Sequence, residues 1–166
     1  MDETAPPLRI RSLLDRDMPA VLAIESASFE FPWCEEEFRQ TLLHDNHTGS
    51  VAEYDGRIAG YAVHKLLPSR IDLLTLAVHP ALRRRGIGER LIARLTRKLS
   101  PGGRRKLVTE VRETNLAAQL FFRSLSFRAT AILRRRYPQS PEDAYRMVYR
   151  VLADRFVPAN RIAGKM

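Results

Sequence analysis

The chain has 166 residues, 45% of them hydrophobic and 28% charged, and its excess of Lys and Arg over Asp and Glu gives a net charge of +9. This length and apolar content fit one domain with a core large enough to fold unaided, expected over residues 8–152 between short flexible termini, 1–7 and 153–166. A single cysteine, Cys34, excludes an internal disulfide and a cysteine-rich zinc site. The four histidines show no ligand spacing, so no metal is expected. Charge breaks every apolar run within a few residues, and Met1-Asp2-Glu3-Thr4 is neither basic nor apolar, so a soluble, cytoplasmic protein is predicted.

Leu8 to Leu13 reads as the first strand, and Asp15 is expected to cap a helix carrying Met18, Val21, Leu22 and Glu25. Phe31-Pro32-Trp33 interrupts that helix, and a second short one runs through Phe38 and Leu42. Strands at Gly49 to Tyr54 and Arg57 to Leu66 are joined by Asp55-Gly56, a strong hairpin signal. A strand from Ile71 to Val78 follows. Ile87, Leu91, Leu95 and Leu99 recur every four residues, which predicts a helix with one buried stripe, ended by Pro101-Gly102-Gly103. A strand at Lys106 to Val111, a helix at Asn115 to Leu125, and strands near Phe127 to Leu133 and Ala144 to Leu152 complete the order. Beyond Pro158 a loose basic tail is expected.

The most informative stretch is Leu74 to Gly88, an apolar strand that breaks at Pro80 and enters a turn containing Arg83-Arg84-Arg85-Gly86-Ile87-Gly88 before a helix. Gly86 and Gly88 leave no side chain between a ligand and the backbone, so free N–H groups of the first helical turn can point at phosphate oxygens, with the helix dipole favouring the same anion. Glu89, Arg90 and Leu91 follow, so the third glycine of a dinucleotide motif and the lysine of a Walker loop are both absent. On these residues alone two readings stand: a pyrophosphate cradle, or a turn beside a solvated arginine face. The net charge also suits a nucleic-acid binder, but the arginine clusters at residues 83–85, 104–106 and 134–136 lack the interleaved aromatics of a stacking platform.

A strand, an R-x-x-G-x-G turn and an amphipathic helix in this order resemble motif A of the GNAT acetyltransferases. The β-α-α-β-β-β-α-β-α-β-β order matches that fold from Leu8 to about Leu152. Phe31-Pro32-Trp33, Thr109 to Asn115, Leu125-Ser126-Phe127, Arg135-Arg136-Tyr137-Pro138 and Glu142-Asp143-Ala144 narrow the resemblance to RimI-type ribosomal-protein-alanine N-acetyltransferases. It implies an α/β fold with a central, mostly antiparallel sheet, one splayed parallel pair and helices on both faces. It also implies transfer of acetyl from acetyl-coenzyme A to a protein N-terminus, a ribosomal protein's among them, and the residues themselves lead to no expectation of a membrane partner or a metal. A small-molecule amine is the alternative acceptor, and a weakly active or non-catalytic module binding acetyl-coenzyme A or nucleic acid is the alternative class.

The resemblance also assigns residues. Leu76, Ala77 and Val78 hold the pantetheine arm through backbone groups, Arg83, Arg84, Arg85, Gly86, Ile87, Gly88 and Glu89 form the pyrophosphate turn, and Asn115 contacts the same arm while capping its helix. Glu110 is the implied proton acceptor. A glutamate of ordinary pKa, ~4.3, accepts poorly from an ammonium near ~8, so burial must raise it or water must relay the proton. A carboxylate merely paired with Arg112 or a neighbouring arginine is the other reading of Glu110. Glu25, Phe31, Pro32, Trp33 and Tyr137 fall where the family lines its peptide groove, although Phe31 and Trp33 serve equally as core aromatics pinning a loop. The chain departs from the pattern at four places. Phe122 occupies the position of the tyrosine that protonates the departing thiolate, Ser126 replaces the glycine of L-G-F, Arg136 replaces the first tyrosine of Tyr-Tyr-Pro, and Cys34 stands for a capping serine.

Overall fold

The computed structural model describes residues 7–152. The expected tail and both termini, Pro7 apart, lie outside the described residues. The strands β1 (Leu8–Ser12), β2 (His47–Tyr54), β3 (Arg57–Leu66), β4 (Arg70–Val78), β5 (Lys106–Arg112), β6 (Arg128–Leu133) and β7 (Ala144–Arg150) build one sheet in the order β1-β2-β3-β4-β5-β7-β6. Every neighbouring pair is antiparallel except β4 with β5. The hairpin at Asp55-Gly56 forms as expected, with φ of +50° and +71°, the left-handed pair that matches the twist of the flanking strands.

Helices α1 (Met18–Ser28) and α2 (Glu35–Leu42) cover one face of the sheet, and α3 (Ile87–Thr96) and α4 (Leu116–Ser124) cover the other. The period-two alternation of the central strands feeds two cores. Val51, Tyr61, Val63 and Ala77 meet Val21, Ile24 and Phe38 on the first face. Ala62, Ile71, Leu107 and Met147 meet Leu91, Leu95, Phe122 and Phe127 on the second.

Three local expectations are corrected. Asp15 caps no helix: a 3-10 turn, Asp15–Asp17, precedes α1, and the carboxylate that accepts a backbone N–H there is that of Asp17, 2.8 Å from Leu14 N and locked by Arg11 at 2.7 Å. Asp15 instead accepts from Arg39 of α2. Helix α3 ends at Thr96 rather than at Pro101, yet Leu99 in the following turn stays buried, so the apolar spacing outlasts the helix. Strand β2 begins at His47, ahead of Gly49.

Candidate active site

β4 and β5 pair only from Arg70 to Asp72 against Lys106 to Val108, and beyond that they part. A cause lies on the opposite edge of β4. Leu74 has no partner there, since the register passes from Val63 against Thr75 to His64 against Leu73. A bulge of this kind bends and over-twists its strand. Leu76, Ala77 and Val78 pair with β3 on one side and, among the described residues, with no strand on the other. Across the gap Thr109 Oγ1 donates to the carbonyl of Leu73 at 3.4 Å. The result is a wedge along which β4 and β5 share no strand pairing, an edge that an amide-bearing chain can complete.

At the top of β4 the backbone curls. Arg84 and Gly86 are both left-handed, at φ +61° and +75°, which turns successive N–H groups toward one concavity. The first bond of α3 runs from Arg90 N–H to the Gly86 carbonyl at 3.1 Å, so the N–H groups of Ile87, Gly88 and Glu89 have no partner within the helix. N–H groups left free in this way at a helix start can receive an anion. The three arginine side chains are not equivalent. Arg83 donates to the Val78 carbonyl at 3.2 Å and to Ser28 at 3.3 Å, and Arg85 donates to the Tyr54 hydroxyl at 3.2 Å. Arg84 is exposed with no such tie among the described residues.

The wedge opens into a cleft of about 1100 Å³ lined by Glu25, Phe31, Trp33, Glu110, Phe122 and Tyr137 among others. Glu110 projects from β5 beside the gap, and its Oε2 accepts from Arg136 Nε at 2.6 Å. Arg112, two residues along the same face, carries Tyr137 at 3.7 Å and Phe31 at 5.2 Å from its guanidinium carbon to the ring centroids, while Glu142 binds it at 2.7 Å. The guanidinium therefore ties the α1–α2 loop to the β6–β7 connection across the cleft. Burial pushes the Tyr137 phenol above its ordinary pKa, so it stays protonated at neutral pH and can donate.

A match to the Acetyltransferase (GNAT) family spans residues 18–127. The chain belongs to the GNAT acetyltransferase family. The acetyltransferase is 32% identical to the ribosomal protein bS18-alanine N-acetyltransferase of Escherichia coli (strain K12) over 137 residues, 81% of this chain and 92% of that one. It is also 32% identical to N-alpha-acetyltransferase RimI of Mycobacterium tuberculosis over 149 residues, 85% and 91% of the two chains. The crystal structure of the Escherichia coli ribosomal-protein-S18-alanine N-acetyltransferase superposes with a TM-score of 0.78 at 31% identity, over 87% of this chain and 94% of that one.

Several residues of the acetyltransferase sit where the sequence put them, for reasons of their own. Gly88 is buried in α3, and a Cβ there would stand 3.1 Å from the ring of Phe121 on α4, so helix packing on its own disfavours a side chain at this position. Asn115 caps α4 through Ala118 N–H at 3.1 Å and lines the cleft. Phe122 is buried edge-on between Phe121 and Phe127, and its position offers no proton.

Glu25 is 2% exposed, and it accepts from Trp33 N–H at 2.8 Å and from the Tyr61 hydroxyl. Burial holds its carboxyl above the usual range against those two bonds. It shapes the α1–α2 loop from behind. Trp33 stacks edge-on against Phe38 in the core, whereas Phe31 is exposed toward the cleft. Cys34 opens α2 with its N–H donated to Glu37 at 2.7 Å. Sequence reasoning missed Arg112 as a clamp. The signal was the parity of β5, which puts residues 110 and 112 on one face.

Proposed function

We propose that this acetyltransferase transfers acetyl from acetyl-coenzyme A to the α-amino group of a protein N-terminus, in the cytoplasm, with a ribosomal protein among its acceptors. The reading is carried by Glu110, a carboxylate beside the parted strands and in the same cleft as the Tyr137 hydroxyl. The names of the sequence relatives, which act on ribosomal protein bS18 or on N-terminal α-amines, support it.

The backbone of Leu76, Ala77 and Val78 with Asn115 would hold the pantetheine arm. The turn from Arg83 through Gly86, Ile87 and Gly88 to Glu89 would hold the pyrophosphate, with Arg84, the arginine of the three that has no side-chain tie among the described residues, beside it. Acetyl-coenzyme A, when bound, supplies the thioester carbon that the amine attacks. Glu110 takes the amine proton through water, and Tyr137 donates to the acceptor's backbone. Phe31 and Pro32 wall the first residue, with Trp33 and Glu25 supporting their loop. Since Phe122 donates nothing, the leaving group departs as a thiolate of pKa about 8.5, which solvent protonates.

The same proton balance selects the acceptor. An N-terminal amine has pKa about 7.7–8.0 and a lysine amine about 10.4, so deprotonating lysine at neutral pH costs ~3.4 kcal/mol more. Peptides with a free N-terminus beginning in a small residue are expected to be acetylated there, and internal lysines in the same peptides far more slowly. Paired free and N-terminally blocked peptides, read by mass spectrometry, provide the test. Equal acetylation of both members would reject the N-terminal assignment.

A further inference from the structure

Helix α1 packs on β3 and β4 and α2 on β2, so among the described residues no helix covers the same face of the sheet at β5 and β7. Parity decides what it carries. Leu107, Val111, Met147 and Tyr149 point into the core under α3 and α4, which turns Lys106, Val108 and Glu110 and their cross-strand partners Arg150, Val148 and Arg146 to the opposite face, where the two valines are themselves buried. At the near end of the cleft Arg146 lies opposite Glu110, and at the far end Lys106 stands between Arg70 of β4 and Arg150 of β7.

The carboxylates that β4 and β5 place along this cleft are already engaged. Asp72 binds Arg70 at 2.7 Å and Glu110 binds Arg136 at 2.6 Å. Among the described residues Lys106, Arg146 and Arg150 have no carboxylate within 4.0 Å. All three line the cleft that holds Glu110 and Tyr137.

We propose that this face is a docking track for acidic side chains of the acceptor protein a few residues downstream of its acetylated N-terminus. This inference rests on the N-terminal reading above and names the class of acceptor it favours. Distance sets the register. The Lys106 rung lies four residues below Glu110 on β5, roughly 13 Å at the strand rise. An extended acceptor whose amine meets Glu110 passes Arg146 first and brings about its third to sixth residues over Lys106 and Arg150. Carboxylates there find charge-assisted hydrogen-bond donors of opposite sign. A nucleic acid is the less favoured partner, since Val108 and Val148 fill the middle of the track and give bases no ring to stack on.

The test uses the full chain with acetyl-coenzyme A and peptides identical except for Glu, Gln or Lys at about residues three to six. The Glu series is expected to show a KM roughly tenfold below the Gln series at low ionic strength, the Lys series a higher one, and the advantage to shrink as salt rises. Lys106→Glu, Arg146→Glu and Arg150→Glu combined should reverse the order within the one variant, a comparison that needs no reference to its overall activity. Fluorescence anisotropy with the N-terminally acetylated forms of the same peptides reads the preference without catalysis. Acidic preference in binding would therefore survive a failure of the N-terminal reading, and acetylation without preference would reject only the track. Glu and Gln peptides within twofold of each other, or an order unchanged in the triple variant, would overturn the proposal. So would binding of a mixed-sequence RNA that the triple variant loses while peptides go undiscriminated, which would assign the face to nucleic acid.

Discussion

Glu110 and Arg136 form an ion pair at 2.6 Å, but their side chains are 30% and 53% exposed, so the pair contributes at most about 1 kcal/mol and is exchangeable for an incoming ammonium. Glu110→Gln keeps the shape and an acceptor oxygen for Arg136 while removing the base. It is expected to lower kcat roughly 10²–10⁴-fold, with acetyl-coenzyme A affinity in calorimetry held within about twofold. A loss of kcat under threefold would reject the role. At this scale much of the site was legible in the sequence. The E-V-R segment marks Glu110, and strand parity then gives Arg112. Arg136 was legible as a departure from the family pattern but not as the partner of Glu110, because a contact between β5 and the β6–β7 connection depends on β7 lying between them, which no local pattern encodes. The two glycines divide differently. Gly86 sits in its turn at φ +75°, whereas at residue 88 a second reason for glycine, the ring of Phe121 on another helix, leaves no local mark.

The element boundaries show the same division between local and distant causes. Where a cap or a period decides, as with Asn115 at the start of α4 or the stripe through Ile87, Leu91 and Leu95, the sequence suffices. The bulge at Leu74 that helps to open the wedge is a property of pairing with β3, and it leaves no mark in β4 itself beyond an apolar residue that turns out 38% exposed. Helix α4 offers a direct test of how a local departure is tolerated. Its stop places Ser126 at φ +70°, with Phe127 N–H bonded back to the Phe122 carbonyl at 3.0 Å, the left-handed terminator in which glycine is usual. A side chain in that conformation costs about 1–2 kcal/mol, and glycine returns part of the gain through a freer unfolded chain. Ser126→Gly is expected to stabilise the fold by about 0.5–1 kcal/mol, raising Tm by roughly 1–4 °C in calorimetry. An unchanged or lowered Tm would mean that the serine conformation carries no strain.

For the molecule as a whole, the periodicities anticipate the succession of helices and strands, the resemblance supplies a mostly antiparallel sheet with one splayed parallel pair and helices on both faces, and the order of the strands across the sheet comes from the structure. The placement of His64 was not legible. It is 1% exposed on β3, with both ring nitrogens unpartnered among the described residues and with Lys98 and Arg94 of the covering segment adding positive charge nearby. Burial first, and then those two cations, hold its pKa down at about 4, against an ordinary value near 6.5. Below pH 6.5 the unfolded chain takes up a proton that the folded chain refuses, so stability falls as pH drops from about 6.5 toward 4, and above that window the residue contributes nothing to pH dependence. At pH 5 the loss amounts to about 2 kcal/mol. Glu25, whose carboxyl is raised by burial, acts in the opposite sense, losing its contribution as pH rises through its folded pKa. Its effect is common to any pair of proteins that differ only at residue 64. Urea unfolding at pH 7.5 and pH 5.0 should therefore show His64→Leu losing about 2 kcal/mol less on acidification than the parent chain, and equal losses in the two proteins would mean that His64 is protonated in the folded state.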